Sequence, residues 1–391
     1  MHASATEIDE EAFVVAAADL VPCLQARAAD AERLGRLPDE TIEDLRSSGI
    51  LKLLAPRSAG GHQASLRTAM KVLEELARGC AATSFVAGGY MGVGWTACQF
   101  SDQAQEEFFA DGPPLAGLTI NAQGGVAIPT SDGYSLSGRW PFCTGHHHAD
   151  WMMMSAVVMD GSTSPEVGIF AAPRGEFQSL GDWKVTGMMG TGSDTLTVQE
   201  ARIPRHRALL FKDLVAGDSP STLVKQDPYF QRPLLPFAAS LLAAAPLGLA
   251  QEALDLFAQR IHTRGITYTP YLKQADSTVT HLQMAEARMK LDEARFHVDR
   301  LAQTVESFDA EGTTVMRARC LADVARDVAL CREVVEIVQT ACGARAIAVS
   351  DPLQRIVRDI QAYSLHSLLL ATTQAENYGR VLCGLEPTVP F

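Results

Sequence analysis

The chain has 391 residues, 47% of them hydrophobic and 20% charged, as in a soluble globular protein long enough for two or three domains. A formal net charge of -13 excludes the dense Lys/Arg footprint of non-specific nucleic-acid binding and of a basic membrane-surface helix, so no nucleic acid and no membrane is expected as a partner. Met1 to Glu11 is polar and acidic, unlike a signal peptide, and the eight cysteines form no CxxC pair, so a cytoplasmic chain of free thiols without a zinc site is expected.

Residues 1–113 read as an α-helical domain. Pro38-Asp39-Glu40 opens a helix that stops at Gly49, and Ser65 can cap the run Leu66 to Arg78, whose apolar positions fall three and four apart. Residues 114–220 change to short runs punctuated by Gly, Pro and Asp-Gly. Strands are expected at Ala122–Ile128, Tyr134–Phe142, Trp151–Met159, Val167–Ala172 and Thr195–Val198, forming a compact middle β domain.

Residues 221–391 return to the helical period. Leu291, Ala294, Val298, Leu301, Val305 and Phe308 make one stripe, and Val324, Val328, Cys331, Val335, Val338 and Cys342 make another, as in long antiparallel helices packed side by side. The apolar run Pro236–Ala250 is too short to span a bilayer, and Pro246 and Gly248 are expected to interrupt it.

The stretch from Gly138 through Trp140, Phe142, Cys143, Thr144 and Gly145 to Trp151 lies between Asp132-Gly133 and Asp160-Gly161, so it reads as strand, turn, strand. A hydroxyl on Thr144 just before Gly145 can come close to a flat ligand, because glycine lets backbone approach. A plain β-hairpin with a buried Trp edge explains the same pattern. His146, His147 and His148 point to alternate faces if the segment is extended, so no metal site is expected there. Gly92-Val93-Gly94-Trp95-Thr96-Ala97 has the letters of a dinucleotide fingerprint but no preceding strand and no βαβ unit.

Four segments in order, Ala31–Thr41, Gly138–Gly145, Gly190–Leu196 and Ile203–Arg207, together with the helix–sheet–helix sequence of zones, resemble the oxygenase components of two-component flavin-dependent monooxygenases, a subgroup of the acyl-CoA dehydrogenase superfamily. The resemblance implies a mainly α protein with a central β domain: an N-terminal helical domain, a β-barrel-like middle domain and a C-terminal four-helix bundle. It further implies an enzyme that binds FMNH2 or FADH2, forms a flavin C4a-hydroperoxide with O2, and hydroxylates an aromatic or amine small molecule. A separate NAD(P)H:flavin reductase and a homotetrameric assembly are implied as well.

Carried over by this resemblance, Thr144 lies near flavin N5, His366 is the base that takes a phenolic proton, and Arg264 contacts flavin phosphate. Trp140, Phe142, Cys143 and Ser193 complete the expected cofactor site. From the residues alone, His366 among Leu365, Leu368, Leu369 and Leu370 equally fits a core histidine of an apolar helix, and Arg264 a solvated helix-end arginine.

The alternative within the superfamily is an acyl-CoA or acyl-carrier-protein dehydrogenase using FAD. Its carboxylate base is expected after Arg358-Asp359, where this chain reads Ser364-Leu365-His366-Ser367-Leu368 with no Asp or Glu before Glu376, so such an enzyme needs a relocated base. A second active-site histidine of several relatives is replaced here by Val93 or its neighbour. Gly88, Gly89, Gly92 and Gly94 leave room for a bulky substrate or serve a close helix–helix contact.

Overall fold

The computed structural model describes residues 9–216, 218–308 and 313–388. Five helices come first: α1 (Glu10–Leu34), α2 (Asp39–Ser47), α3 (Leu66–Gly79), α4 (Ala81–Thr96) and α5 (Asp102–Phe108). Helix α2 ends before Gly49, which adopts the left-handed conformation at φ 75°. The Ser65 hydroxyl accepts from the Thr68 N–H at 3.1 Å and caps α3 as expected.

Eight strands follow: β1 (Ala116–Thr119), β2 (Gly125–Pro129), β3 (Gly133–Trp140), β4 (Trp151–Val158), β5 (Val167–Pro173), β6 (Gln178–Ser179), β7 (Leu196–Pro204) and β8 (Ala208–Leu210). They form one sheet in the order β6-β7-β3-β2-β4-β5-β8, with β1 pairing in parallel to β4. The expected hairpin between β3 and β4 does not exist. Strand β2 lies between them, antiparallel to β3 and parallel to β4, and the connection 141–150 is too long for a tight turn. Trp140 shows what fills the space: its ring lies against Gly125, where an added Cβ would come within 2.1 Å, and its indole N–H donates to the Ser155 carbonyl of β4 at 2.7 Å.

After the short helices α6 (Phe211–Ala216) and α7 (Thr222–Gln226) come α8 (Leu234–Arg260), α9 (Thr278–Glu306), α10 (Thr314–Cys342), α11 (Pro352–Tyr363) and α12 (Ala371–Leu382). The two apolar stripes of α9 and α10 are buried, except that Cys342 is half-buried. Contrary to expectation, Pro246 and Gly248 do not interrupt α8, which runs 27 residues through both. Gly248 instead lets α3 approach, since a Cβ there would lie 2.2 Å from the Glu74 carbonyl oxygen. By length and composition α1 and α8 could each cross a membrane, but 72% of the apolar window of α8 is buried within the protein.

Because Trp140 is fully buried and fills the β core, Trp140→Ala is expected to destabilise the protein by about 3–5 kcal/mol in denaturant unfolding. A loss below about 1 kcal/mol would contradict that role.

Candidate active site

Three of the sequence segments singled out above meet in space. An added Cβ on Gly190 would touch Ala31 of α1 at 2.9 Å and Ala82 of α4 at 3.2 Å, and one on Gly192 would reach the Gly35 carbonyl at 2.9 Å. His148 Nε2 lies 2.8 Å from Asp39 and 3.0 Å from Arg36. The fourth segment lies elsewhere, with His206 and Arg207 paired to Glu107. Loop 187–193 is seated on α11 by a glycine: a Cβ at Gly187 would lie 2.1 Å from the Arg358 carbonyl oxygen. Arg358 donates to the Thr186 carbonyl and to Glu32, both at 2.7 Å, and the Met188 N–H donates to Asp359 at 2.6 Å.

Here Met188 holds a left-handed backbone (φ 55°), costly for a side chain of its size and maintained by these contacts. The buried loop hydroxyls follow one direction. Thr191 Oγ1 donates to the Met188 carbonyl at 2.9 Å and lies 2.8 Å from Ser193 Oγ, which lies 2.8 Å from Thr144 Oγ1. Each hydroxyl has one proton. Thr191 spends its proton on the carbonyl, so Ser193 donates to Thr191 and Thr144 donates to Ser193. Half-buried Thr144 is left with lone pairs facing outward.

Asp194 supports this chain from behind. Its carboxylate accepts from the Trp183 N–H at 2.9 Å, Ser179 at 2.9 Å and His146 Nε2 at 3.1 Å; these bonds hold its pKa low although burial pushes it up. The three histidines do not occupy an extended segment: residues 144–147 form a turn with Gly145 at φ 77°. His146 and His147 therefore both face Asp194, their ring centroids 3.9 Å apart, contrary to the alternate-face expectation. Arg174, which can only donate, lies 2.9 Å from His146 Nδ1, so the His146 proton is on Nε2 and is given to Asp194. The ligand atoms of His146, His147 and Asp194 lie within 4.8 Å of one another, and with the Nε2 proton in place the trio is a hydrogen-bonded brace. Burial, His147 and Arg174 lower the His146 pKa to about 4, keeping it neutral.

The remaining expected site residues divide. Thr144 and Ser193 are brought together. Phe142 lies outside β3 at φ 62°, 68% exposed, with its ring 5.8 Å from that of Trp183. The Trp140 and Cys143 side chains are buried: the indole is sealed in the β core, and the Cys143 thiol donates to the Trp140 carbonyl, its pKa pushed up to about 12 by burial. Arg264 sits in the loop after α8, where its carbonyl accepts from the Gln274 N–H at 2.6 Å; no contact links it to Thr144 among the described residues.

His366 is not inside a helix. α11 ends at Tyr363, and His366 caps a short 3-10 turn at Ser367–Leu369. Its ring packs against Phe85 of α4, 6.0 Å between centroids, and burial lowers its pKa to about 4. One and a half turns further along α4, about 7.5 Å, the Tyr90 hydroxyl donates to the Gly145 carbonyl beside Thr144. One helix thus joins His366 to the Thr144 loop. Val93 is buried against the sheet, among Ala116, Met153 and Ile169. Sequence reasoning missed Thr191 and the Met188 carbonyl; the alternation Thr191-Gly192-Ser193 was the available signal.

Two family models match the chain, acyl-CoA dehydrogenase N-terminal domain over residues 6–112 and C-terminal domain over residues 240–370. A pigment production hydroxylase of Rhodococcus sp. (strain ATCC 21145) is 30% identical over 95% of this chain and 96% of its own. The chain belongs to the flavin-dependent monooxygenase oxygenase components of acyl-CoA dehydrogenase fold.

The FADH2-dependent resorcinol hydroxylase oxygenase component of Rhizobium sp. (strain MTP-10005) is 27% identical, covering 96% of this chain and 94% of its own. The structure of XiaF from Streptomyces sp. in complex with FADH2 and glycerol superposes with a TM-score of 0.91 at 28% identity, covering 97% of both chains. As an oxygenase component, this enzyme uses reduced flavin and O2, acts on a small molecule and depends on a separate flavin reductase. It is not an acyl-CoA dehydrogenase with a relocated base. Asp359 lines a cleft of about 200 Å³ with Arg78, Cys80, Glu252 and Arg355.

Burial raises the Asp359 pKa to about 6, partly offset by the Met188 N–H bond. The folded oxygenase component therefore binds this proton more tightly than the unfolded chain. The associated stability is full below the ordinary value of 3.8 and is lost as pH rises through about 6. Asp359→Asn keeps an acceptor for Met188 and is expected to raise unfolding stability at pH 7.5 by up to about 3 kcal/mol, with little change at pH 4. Lower stability at pH 7.5 would refute this account of Asp359.

Proposed function

We propose that this oxygenase component hydroxylates an electron-rich aromatic ring, a phenol or an indole-like ring, beside a reduced flavin held against Thr144. The observation that carries the reading is the one-way hydroxyl chain, which makes Thr144 an acceptor facing the cleft. A reduced isoalloxazine carries a ring N–H at N5 that needs such an acceptor, and Phe142 and Trp183 add flat apolar surface next to it, so the residues fit the group. Bound reduced flavin supplies the two electrons with which O2 gives one oxygen atom to the substrate and one to water. Thr144 would hold the N5 proton in place, hindering the proton loss that releases peroxide without product.

His366 takes a different part from the base expected. Its Nδ1 accepts from the Leu368 N–H at 3.3 Å, which leaves the proton of the neutral ring on Nε2. Moving a phenolic proton, ordinary pKa about 10, onto a group at about 4 would cost about 8 kcal/mol. Nε2–H instead donates to the substrate oxygen and lowers the phenol's pKa, so that its proton passes to solvent water and the phenolate left behind is activated for attack by an electrophilic oxygen.

The cytoplasm is the proposed location, supported by eight free thiols. A homotetramer is proposed from two features. Helix α9 exposes Val279, Leu282, Met289 and Phe296 on one face, and among the described residues no contact joins Arg264 to its own chain's Thr144, so a neighbouring copy would bring it to the flavin phosphate.

Anaerobic binding of reduced FMN and FAD, followed by air and a panel of phenols and indoles, tests the activity; no oxygenated product from any of them would reject it. Ser193→Ala frees the Thr144 proton to turn into the cleft and is expected to raise peroxide release per O2 consumed about tenfold. Unchanged coupling would remove the chain from the mechanism. His366→Ala should slow phenol hydroxylation roughly 10–100-fold, with His366→Gln, which keeps an N–H donor, recovering most of the loss. A Gln variant no better than Ala would contradict the donor role.

A further inference from the structure

Thirteen of the sixteen residues of α4 are buried. The three that are not, Phe85, Gly89 and Gly92, fall at i, i+4 and i+7 and so share one face. That face lies between two occupied sides of the helix. On one side Trp95 stacks on Phe237 of α8; on the other Ala82 meets Gly190, and Tyr90 meets Gly145. The open strip therefore runs between loop 187–193 on one side and α8 on the other, with His366 at its Phe85 end.

The four glycines of α4 divide by what an added Cβ would meet. Gly88 faces Leu73 Cδ1 at 3.3 Å and Gly94 faces Ala55 Cβ at 3.5 Å, so both serve helix packing. Gly89 meets nothing within 4 Å, and Gly92 meets only the end of Leu241 at 3.0 Å. Glycine inside a helix costs stability relative to alanine, and at Gly89 no packing contact offsets that cost. What the missing side chain provides is width. Leu241 of α8 bounds the strip at Gly92, and Leu235, Ala238 and Leu242 form a half-buried apolar face of the same helix.

We infer that Gly89 and Gly92 set the substrate class, keeping a bare, flat apolar wall that accepts a fused-ring aromatic in preference to a single ring. This rests on the proposed ring hydroxylation and adds a size requirement to it. A flat polycycle would lie along the exposed α4 backbone and Phe85 with its hydroxyl end toward His366. Each further ring would bury more apolar surface and strengthen binding roughly tenfold.

The probes are phenol, 2-naphthol and 9-phenanthrol, with dissociation constants measured anaerobically on the full chain loaded with reduced flavin. The wild type is expected to bind 9-phenanthrol at least tenfold more tightly than phenol. Gly89→Leu should compress that ratio to within about threefold, and Gly89→Ala should give an intermediate ratio. Gly89→Ala adds a Cβ to open space and carries the test if the leucine variant does not fold. Gly88→Ala, a packing position, should lower the thermal midpoint and leave the ratio intact. A flat series in the wild type, no binding of 9-phenanthrol, or an undiminished ratio in both Gly89 variants would overturn the inference. Failure of the hydroxylation reading is seen separately, as wild-type enzyme that forms no oxygenated product while the size ratio is still present.

Discussion

Thr191, Ser193 and Thr144 have one hydroxyl proton each, and the carbonyl of Met188 takes the first of them. That single backbone acceptor fixes the direction of both bonds that follow, over two contacts of 2.8 Å. It can do so because Met188 is held in an unfavourable left-handed conformation, by Asp359 at its N–H and by the tight seat of Gly187 on α11. The rest of the site depends on this constraint. Without it, Thr144 could turn its proton into the cleft and would be an ambiguous partner for any ligand N–H.

The opposite end of the cleft is organised in the same way. The N–H of Leu368 occupies Nδ1 of His366 and leaves Nε2 as a donor. A backbone carbonyl thus makes one end an acceptor and a backbone amide makes the other a donor. Both depend on α11, which seats loop 187–193 through Arg358 and Asp359 and then ends so that His366 stands in the gap before α12. Helix α4 spans the two ends, and its open strip is bare at Gly89, where the proposed substrate would lie. In the proposed reading the chemistry rests on polarity set by main-chain groups, and side-chain pKa values near neutrality are not required; burial keeps His366 uncharged at pH 7.

Much of this was legible in the sequence, for physical reasons. The stripes of α9 and α10, the Ser65 cap and the stop at Gly49 are local signals, and local signals determined those elements. Thr144 could be named from its place before Gly145 in a short motif, and Ser193 through the family resemblance. The pairing of β2 between β3 and β4 was hidden, because strand order depends on contacts distant in sequence; one of them is the Trp140 ring lying against Gly125. Helicity through Pro246 was hidden because tertiary burial outweighed a local breaker. The roles of the histidines depended on backbone geometry that composition does not carry. A turn at Gly145 brings His146 and His147 to one carboxylate, and the end of α11 at Tyr363 takes His366 out of the helix.

Neutron diffraction from deuterium-exchanged crystals of the enzyme would test the central claim most directly, because it locates the exchangeable hydroxyl deuterons. The Thr144 deuteron is expected on the line to Ser193 Oγ, with the Ser193 deuteron toward Thr191 and the Thr191 deuteron toward the Met188 carbonyl. A Thr144 deuteron pointing into the cleft, or a chain running from Ser193 to Thr144, would contradict it.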